Sequence, residues 1–335
     1  MTMRTLDPVP DAALDPVTGQ PRVGSYRGAL RRVDLTAVAG GALKRALREK
    51  RWIYVGVASD EIYAGVAVVR LGYAANAFAF AYDGRAKKML ADVSMLAPTL
   101  RCSVGDTSGE GCIARLRSGA SSVSIERPVG SSAYVVQVRT RELSIDARLD
   151  ATSAPPPITA IASLAPGRVN TTEKRTLLAT TGEIRAGGAR RSLDGALGGY
   201  DYTNGLLERR TRWRWGFALG RAAGGEKVAF NLVEGFVGEP ECALWIDGEV
   251  HPLAEGRFEF DASRPLEPWR VRTADDALDL RFVPGGMHAD RTNLGVVKSS
   301  FVQPAGTYSG TIHASGRDLV LKNVLGVSED QDVLW

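Results

Sequence analysis

Apolar residues in this chain come in short runs of strand length, one after another, with turn-forming residues between them. WIYVGVAS (52–59), IYAGVAVV (62–69) and NAFAFAYD (76–83) open the series. SSVSIERP (121–128), AYVVQVRT (133–140) and ELSIDARLD (142–150) continue it. Val, Ile, Tyr and Phe recur within the runs, and Gly, Asp, Asn or Ser sits between them. Strands this close together, with few helices between, predict an all-β chain of antiparallel barrels or sandwiches. One helix is expected, GALKRALREK (41–50), built from strong helix formers with basic residues toward its C-terminal dipole. Residues 1–25, rich in Pro, Asp and Gly, read as an extended lead-in.

A chain of 335 residues exceeds one ordinary core and suits two domains of roughly 150 residues each. TSAPPPITAIASLAPG (152–167) interrupts the strand rhythm with four prolines. It places the expected boundary between an N-terminal β-barrel-like domain (26–155) and a C-terminal one (156–335). The strand pattern resumes with VAFNLVEGF, CALWIDGEV, WRVRTADDALDLRF and TYSGTIHASGRDLVLKNV. IDGE (246–249) and ASGRD (314–318) predict hairpin turns, since Gly supplies the positive φ such turns need. A faint repeat links the halves. Arg51-Trp52 and Arg212-Trp213 each open an alternating strand, a polar turn and a second strand, which favours two similar β units.

Charge narrows the partners. The net charge is +4, from 42 basic and 38 acidic residues, and no run of five like charges occurs. The densest basic cluster, Arg209, Arg210, Arg212 and Arg214, is interleaved with Trp213 and Trp215. A solvated strand face explains these arginines without a phosphate, so no nucleic-acid partner is expected. No apolar stretch reaches the length of about 18 residues that a membrane-spanning helix needs. The N-terminus lacks the apolar core of a signal peptide. Cys102, Cys112 and Cys242 form no CxxC pair and fit reduced thiols in a cytoplasm. HExxH, phosphate-loop, GxSxG and GxGxxG patterns are missing. His251, His288 and His313 lie far apart and read as surface or hydrogen-bonded histidines. Neither a metal nor a cofactor is expected.

The chemistry gathers around GGYDYTNGLLERRTRWRWGFALG (198–220). Alternation puts Trp213, Trp215, Phe217 and Leu219 on one face of a strand, with Arg210, Arg212, Arg214 and Gly216 on the other. On the next strand Glu234 shares an apolar row with Val228, Phe230, Leu232 and Phe236. A carboxylate there must be paired, protonated, or at a strand end that reaches water. Asp201, beside Tyr200 and Tyr202 on a Gly-rich turn, is a candidate proton donor or acceptor. Its competing reading is a turn Asp that caps nearby amides, which Asn204-Gly205 also suggests.

LDPVTGQPRVG near the start, RWIYVGVASDEIYAGVAVVRLGY, NTTEKRTLLATTGEIRAGG (170–188) and YDYTNGLLERRTRWRWGFA together resemble the family called domain of unknown function 2804. NLVEGFVGEPECALWIDGE and SSFVQPAGTYSGTI extend the resemblance over most of the chain. Ala243 departs from it, standing where an Asn is expected. More remotely, the family is similar to two-domain lipocalin-like proteins, among them carotenoid hydratases and tocopherol cyclases. That resemblance implies two calycin-type barrels, an apolar small-molecule ligand and no cofactor. It implies Asp201 as the acid and Trp213 and Trp215 as pocket walls. Tyr200 and Tyr202 stand where the hydratases carry histidines. The leading expectation is a cofactor-independent cyclase, isomerase or hydratase acting on a polyene, terpenoid or polyketide. Asp201 would carry the proton, with Glu234 or Tyr202 assisting. Trp213, Trp215, Trp245 and Tyr200 would shape the pocket, and Lys174 and Asn231 would orient a polar end of the ligand. The alternative is a lipid or terpenoid carrier with the same pocket and no chemistry. Oligomeric state is not legible in the sequence.

Overall fold

The computed structural model describes residues 5–293, 298–314 and 316–335. Two sheets organise the chain. The larger runs, in spatial order, Lys88–Ala97, Ala75–Asp83, Ile62–Leu71, Glu49–Ala58, Ala196–Leu206, Arg168–Ala186, Leu143–Asp150, Ala133–Arg139, Ser121–Arg127, Cys112–Ser118 and Cys102–Val104. Its ends approach each other, and Ser118 Oγ donates to the Leu96 carbonyl at 3.1 Å. The result is a nearly closed barrel, and the second sheet forms a half-barrel. That second sheet runs Glu249–Pro252, Ala243–Ile246, Lys227–Gly235, Arg210–Arg221, Arg317–Leu334, Lys298–Ala314, Leu278–Asn293, Trp269–Thr273 and Gly256–Glu259.

The chain passes from one sheet to the other between Leu206 and Arg210. Strands before and after Pro155–Pro157 belong to the first sheet, so the prolines turn the chain within it. The stretch 198–220 is therefore two strands in different sheets. Asn204 and Gly205, expected in a turn, lie inside Ala196–Leu206 and pair with Arg51 and Lys50. The turn reading of Asp201 falls with them, because central pairing on both sides holds this backbone extended. The helix occupies Ala42–Arg48, and Glu49 and Lys50 already belong to the strand. The lead-in is tied down: Asp7–Pro8 pairs with Gly24–Arg27, which in turn pairs with Ile158–Ala165. IDGE closes a hairpin in which Ile246 faces Glu249, and Ala314 faces Arg317 across the other expected turn.

The early strands are apolar at nearly every position because both of their faces are covered. Ile53, Val55 and Val57 point into the barrel, whereas Tyr54 and Ala58 point at the second sheet. In Ala75–Asp83 the division sorts residues by size. Ala77, Ala79 and Ala81 fill the narrow barrel interior, and Phe78, Phe80 and Tyr82 face outward to the second sheet.

A glycine row sets how closely the sheets meet. Gly199, Gly56 and Gly65 are cross-strand neighbours on the face toward the second sheet. A Cβ on Gly56 would lie 2.6 Å from Tyr63 Oη and 2.8 Å from the Phe217 ring. On Gly65 it would lie 2.5 Å from Phe80 and 2.6 Å from Tyr54 Oη. Phe217 of the second sheet thus rests on bare backbone of the first.

Candidate active site

Beside the glycine row the cross-strand positions carry larger side chains, and the sheets part. One row of the first sheet reads Lys174, Asp201, Tyr54, Ala67, Phe78 and Ser94. On the second sheet Val233, Trp215 and Glu329 are register neighbours, as are Gln303 and His288. These two rows face each other across a cavity of about 590 Å³. Trp52 and Trp213 stack across the gap with centroids 6.0 Å apart and planes at 11°. Tyr54 meets Trp215 edge-on at 5.2 Å.

The walls are mostly apolar, and their polar groups are concentrated. Lys174 Nζ lies 2.7 Å from Asp201 Oδ2 and 2.9 Å from Glu241 Oε2. It also donates to Thr172 Oγ1 at 2.9 Å. Burial alone would push the ammonium's pKa down, but the two carboxylates outweigh it and the net direction is up. Lys174 therefore stays charged. Burial pushes the Glu241 carboxyl up, and Asp201 adds to this against the pull of Lys174. All three line the cavity, and Asp201 is the most exposed, with 13% of its side chain exposed against 2% for Lys174 and 4% for Glu241. The trio also joins the sheets, since Glu241 sits on the Glu239–Glu241 turn of the second.

A second polar group occupies the opposite wall. Glu329 Oε1 accepts from Trp213 Nε1 at 2.7 Å, and Oε2 accepts from Gln303 Nε2 at 2.6 Å. Burial pushes this carboxyl up to about 7. His288 is buried nearby, with Nδ1 2.6 Å from Asp92 Oδ1 and its ring stacked on Phe78 at 4.3 Å. Among the described residues, no group of three or more His, Cys, Asp or Glu is arranged to hold a metal ion.

Of the residues singled out in the sequence, Asp201, Lys174, Trp213 and Trp215 line the cavity. Asn231 lies behind it. Its Oδ1 accepts from Trp215 Nε1 at 2.7 Å, and its Nδ2 donates to the Glu241 carbonyl at 2.9 Å. It orients an indole and a turn, and the ligand-orienting role expected for it does not fit that position. Trp245 is fully buried in packing between the sheets, donating to the Pro156 carbonyl at 3.1 Å. Tyr200 and Tyr202, one residue either side of Asp201, point away from the cavity into the barrel. Tyr200 donates to Glu173 Oε1 at 2.5 Å and Tyr202 to the Gly105 carbonyl at 2.9 Å. Glu234 is on the face opposite Val233 and accepts from Arg214 Nη1 at 2.9 Å. It is a paired rim carboxylate, remote from the cavity lining. Arg210 and Arg212 likewise pair with Asp332, at 2.7 and 3.3 Å.

Sequence reasoning missed Glu329, Gln303, His288, Glu241, Trp52 and Tyr54. For the last two a signal existed. The repeat aligns Trp52 with Trp213 and Tyr54 with Trp215, and the folded chain presses those same pairs together.

Two facing β units with a cavity between them define an all-β, lipocalin-like protein. The chain belongs to the family described as Domain of unknown function (DUF2804), whose model matches residues 11–335. Among solved structures it is similar to one from Nitrosomonas europaea described as an AttH, at 12% identity and a TM-score of 0.52, covering 85% of this chain and 92% of that one. It is similar to CghA with Sch210972 at 12% identity and a TM-score of 0.52, over 98% of this chain and 97% of that one. Kievitone hydratase from Nectria haematococca follows at 13% identity and a TM-score of 0.48, over 87% and 90%. No curated protein matches the sequence. Among the described residues, no helix is long and apolar enough to cross a membrane.

Proposed function

We propose that this protein is a cofactor-independent acid/base enzyme that acts on an apolar small molecule, of the polyene, terpenoid or polyketide class, held between its two sheets. One observation carries the reading: Asp201, held by the buried Lys174 ammonium at 2.7 Å, is the most exposed member of a charged trio that lines an aromatic-walled cavity. A site built only to hold apolar cargo gains nothing from desolvating a lysine and two carboxylates in its wall, a cost of several kcal/mol per ion before pairing. The volume of about 590 Å³ lies within the range of small-molecule sites. Trp215 and Tyr54 present ring faces and edges beside Asp201, suited to a carbocation formed in the pocket. CghA, similar in fold, has a structure with the small molecule Sch210972, which fits a cavity of this kind.

The test begins with the compound that co-purifies with the protein, identified by mass spectrometry and re-added to stripped protein. Under this proposal the wild type converts it, while Asp201→Asn binds it, by quenching of tryptophan fluorescence, without converting it. Recovery of the compound unchanged from wild type would point to the carrier instead.

A further inference from the structure

We infer that Glu329 is a second reactive group of this cavity, a neutral carboxyl that delivers a proton to the occupant from the wall opposite Asp201. The inference rests on the cavity reading above and assigns the direction of proton flow within it. Glu329 lies next to Trp215 in register and near the middle of the second sheet's wall. Its side chain is buried, and no Lys or Arg among the described residues forms an ion pair with it. The titratable groups around it are Asp201, with Lys174 and Glu241 beside it, Tyr54 and Tyr63 of the first sheet, His288 and Asp290 beyond Gln303, and Asp330 next along its own strand. Asp201 and Asp330 each make a further negative charge at Glu329 less favourable. Asp201 has what Glu329 lacks, a lysine at 2.7 Å. The environments of the two carboxyls thus differ in the way that separates an acid from a base.

As placed, both hydrogen bonds donate to Glu329 and oppose the effect of burial, but the same two contacts also accommodate a neutral carboxyl. Trp213 Nε1 donates to one oxygen, the role of the carbonyl oxygen. The other oxygen faces the Gln303 amide at 2.6 Å. Amide oxygen and nitrogen are interchangeable in placement, so the same contact is made by a carboxyl O–H donating to Gln303. The second polar atom of that amide is buried without a protein partner, and so is Asn76 Oδ1 across the cavity. Buried polar atoms are rarely left unmatched, and both belong to residues that line this space. They mark hydrogen-bonding points for an occupant that is apolar along its length and polar at particular atoms.

The step balances without a co-reactant. The Glu329 proton joins one carbon of an alkene, using the π pair to form the new C–H bond. The cation left on the neighbouring carbon lies near Trp215 and Tyr54. The Asp201 carboxylate then removes a proton from an adjacent carbon, whose C–H pair forms the new double bond. The occupant leaves isomerised, or cyclised if a second alkene supplies the pair. Glu329 ends ionised and Asp201 protonated, and exchange with water restores both.

Infrared spectroscopy in D2O tests the assignment without a known substrate. Wild type minus Glu329→Gln should show a protonated-carboxyl C=O band at pH 6, with a titration midpoint near 7. Trp213→Phe should keep that band and shift it, because the carbonyl loses its donor. Retinol, a polyene probe, should bind wild type and Glu329→Gln alike and shift the band in wild type. A carboxyl that titrates below about pH 5, as an ordinary glutamate does, overturns the proposal. So does a band that ignores bound retinol. Failure of retinol to bind the wild type counts instead against the apolar-cavity reading on which the proposal rests.

Discussion

Removing the ammonium while keeping its stem, Lys174→Met, leaves two carboxyls facing each other where a cation had stood 2.7 Å from one and 2.9 Å from the other. Breaking a buried pair by deleting one partner costs about 3–5 kcal/mol, since the orphaned charge stays desolvated. Asp201 is 13% exposed and Glu241 only 4%, so the larger penalty falls on Glu241 and about 3 kcal/mol is expected at pH 8. The sign of the pH dependence follows. Burial already raises Glu241, and losing Lys174 raises it further. An acid whose folded pKa exceeds its unfolded value binds more protons when folded, so stability falls as pH rises through that window. Lys174, held above the ordinary lysine range in the folded protein, contributes equally across pH 5 to 8. The destabilisation should therefore shrink to about 1 kcal/mol at pH 5, where Glu241 takes up the missing proton. Guanidinium unfolding followed by tryptophan fluorescence at the two pH values measures both numbers. Lys174→Met combined with Glu241→Gln should regain part of the loss at pH 8. A deficit below about 1 kcal/mol at pH 8, or one equal at both pH values, would refute the electrostatic account of this trio.

Two further outcomes are expected. Gly65→Ala should cost about 1–3 kcal/mol in the same unfolding assay, because its methyl meets Phe80 and Tyr54 Oη at 2.5 and 2.6 Å; a neutral result would mean that these two rings are not packed over that position. Glu173, buried in the barrel and pushed up to about 7 by desolvation despite the Tyr200 hydrogen bond, keeps its proton when folded at pH values above about 4.3 where the unfolded chain has lost it, so it costs stability as pH rises from there to 7. Relative to wild type, Glu173→Gln should therefore gain stability between pH 5 and pH 8, by an amount on the order of 3 kcal/mol; a constant difference across that range would contradict the shift.

Much of the architecture was legible because strand alternation is a local property. The Trp213, Trp215 and Phe217 row could be placed on one face from spacing alone, and it does face the first sheet. The same rule, applied to Tyr200, Asp201 and Tyr202, separates the tyrosines from the acid. Reading them as one cluster overlooked that adjacent strand residues point opposite ways. That rule also puts Glu234 on the face opposite Asn231 and Val233, and Val233 is the one of these that lines the cavity. Glu329 was out of reach for a different reason. SEDQD reads as a solvated acidic run until its strand is paired. Register with Arg210–Arg221 on one side and Lys298–Ala314 on the other turns Glu329 inward and leaves Asp330 and Asp332 to the arginines. Pairings at such sequence separation leave no local trace. The sheet change at residues 207–209 was hidden likewise, because the prolines upstream were the stronger punctuation.

The contact of Phe217 with the bare peptide chain of Gly199 and Gly56 has a consequence for the cavity walls. It clamps the sheets together behind Trp215 and Tyr54, which line the cavity, with Phe217 stacked on Trp215 at 5.4 Å and edge-on to Tyr54 at 6.4 Å. Shortening that ring should loosen the packing behind both aromatic walls while leaving the ion pairs of Lys174 in place. The spacing of the sheets and the charges in the cavity wall are thus set by different rows.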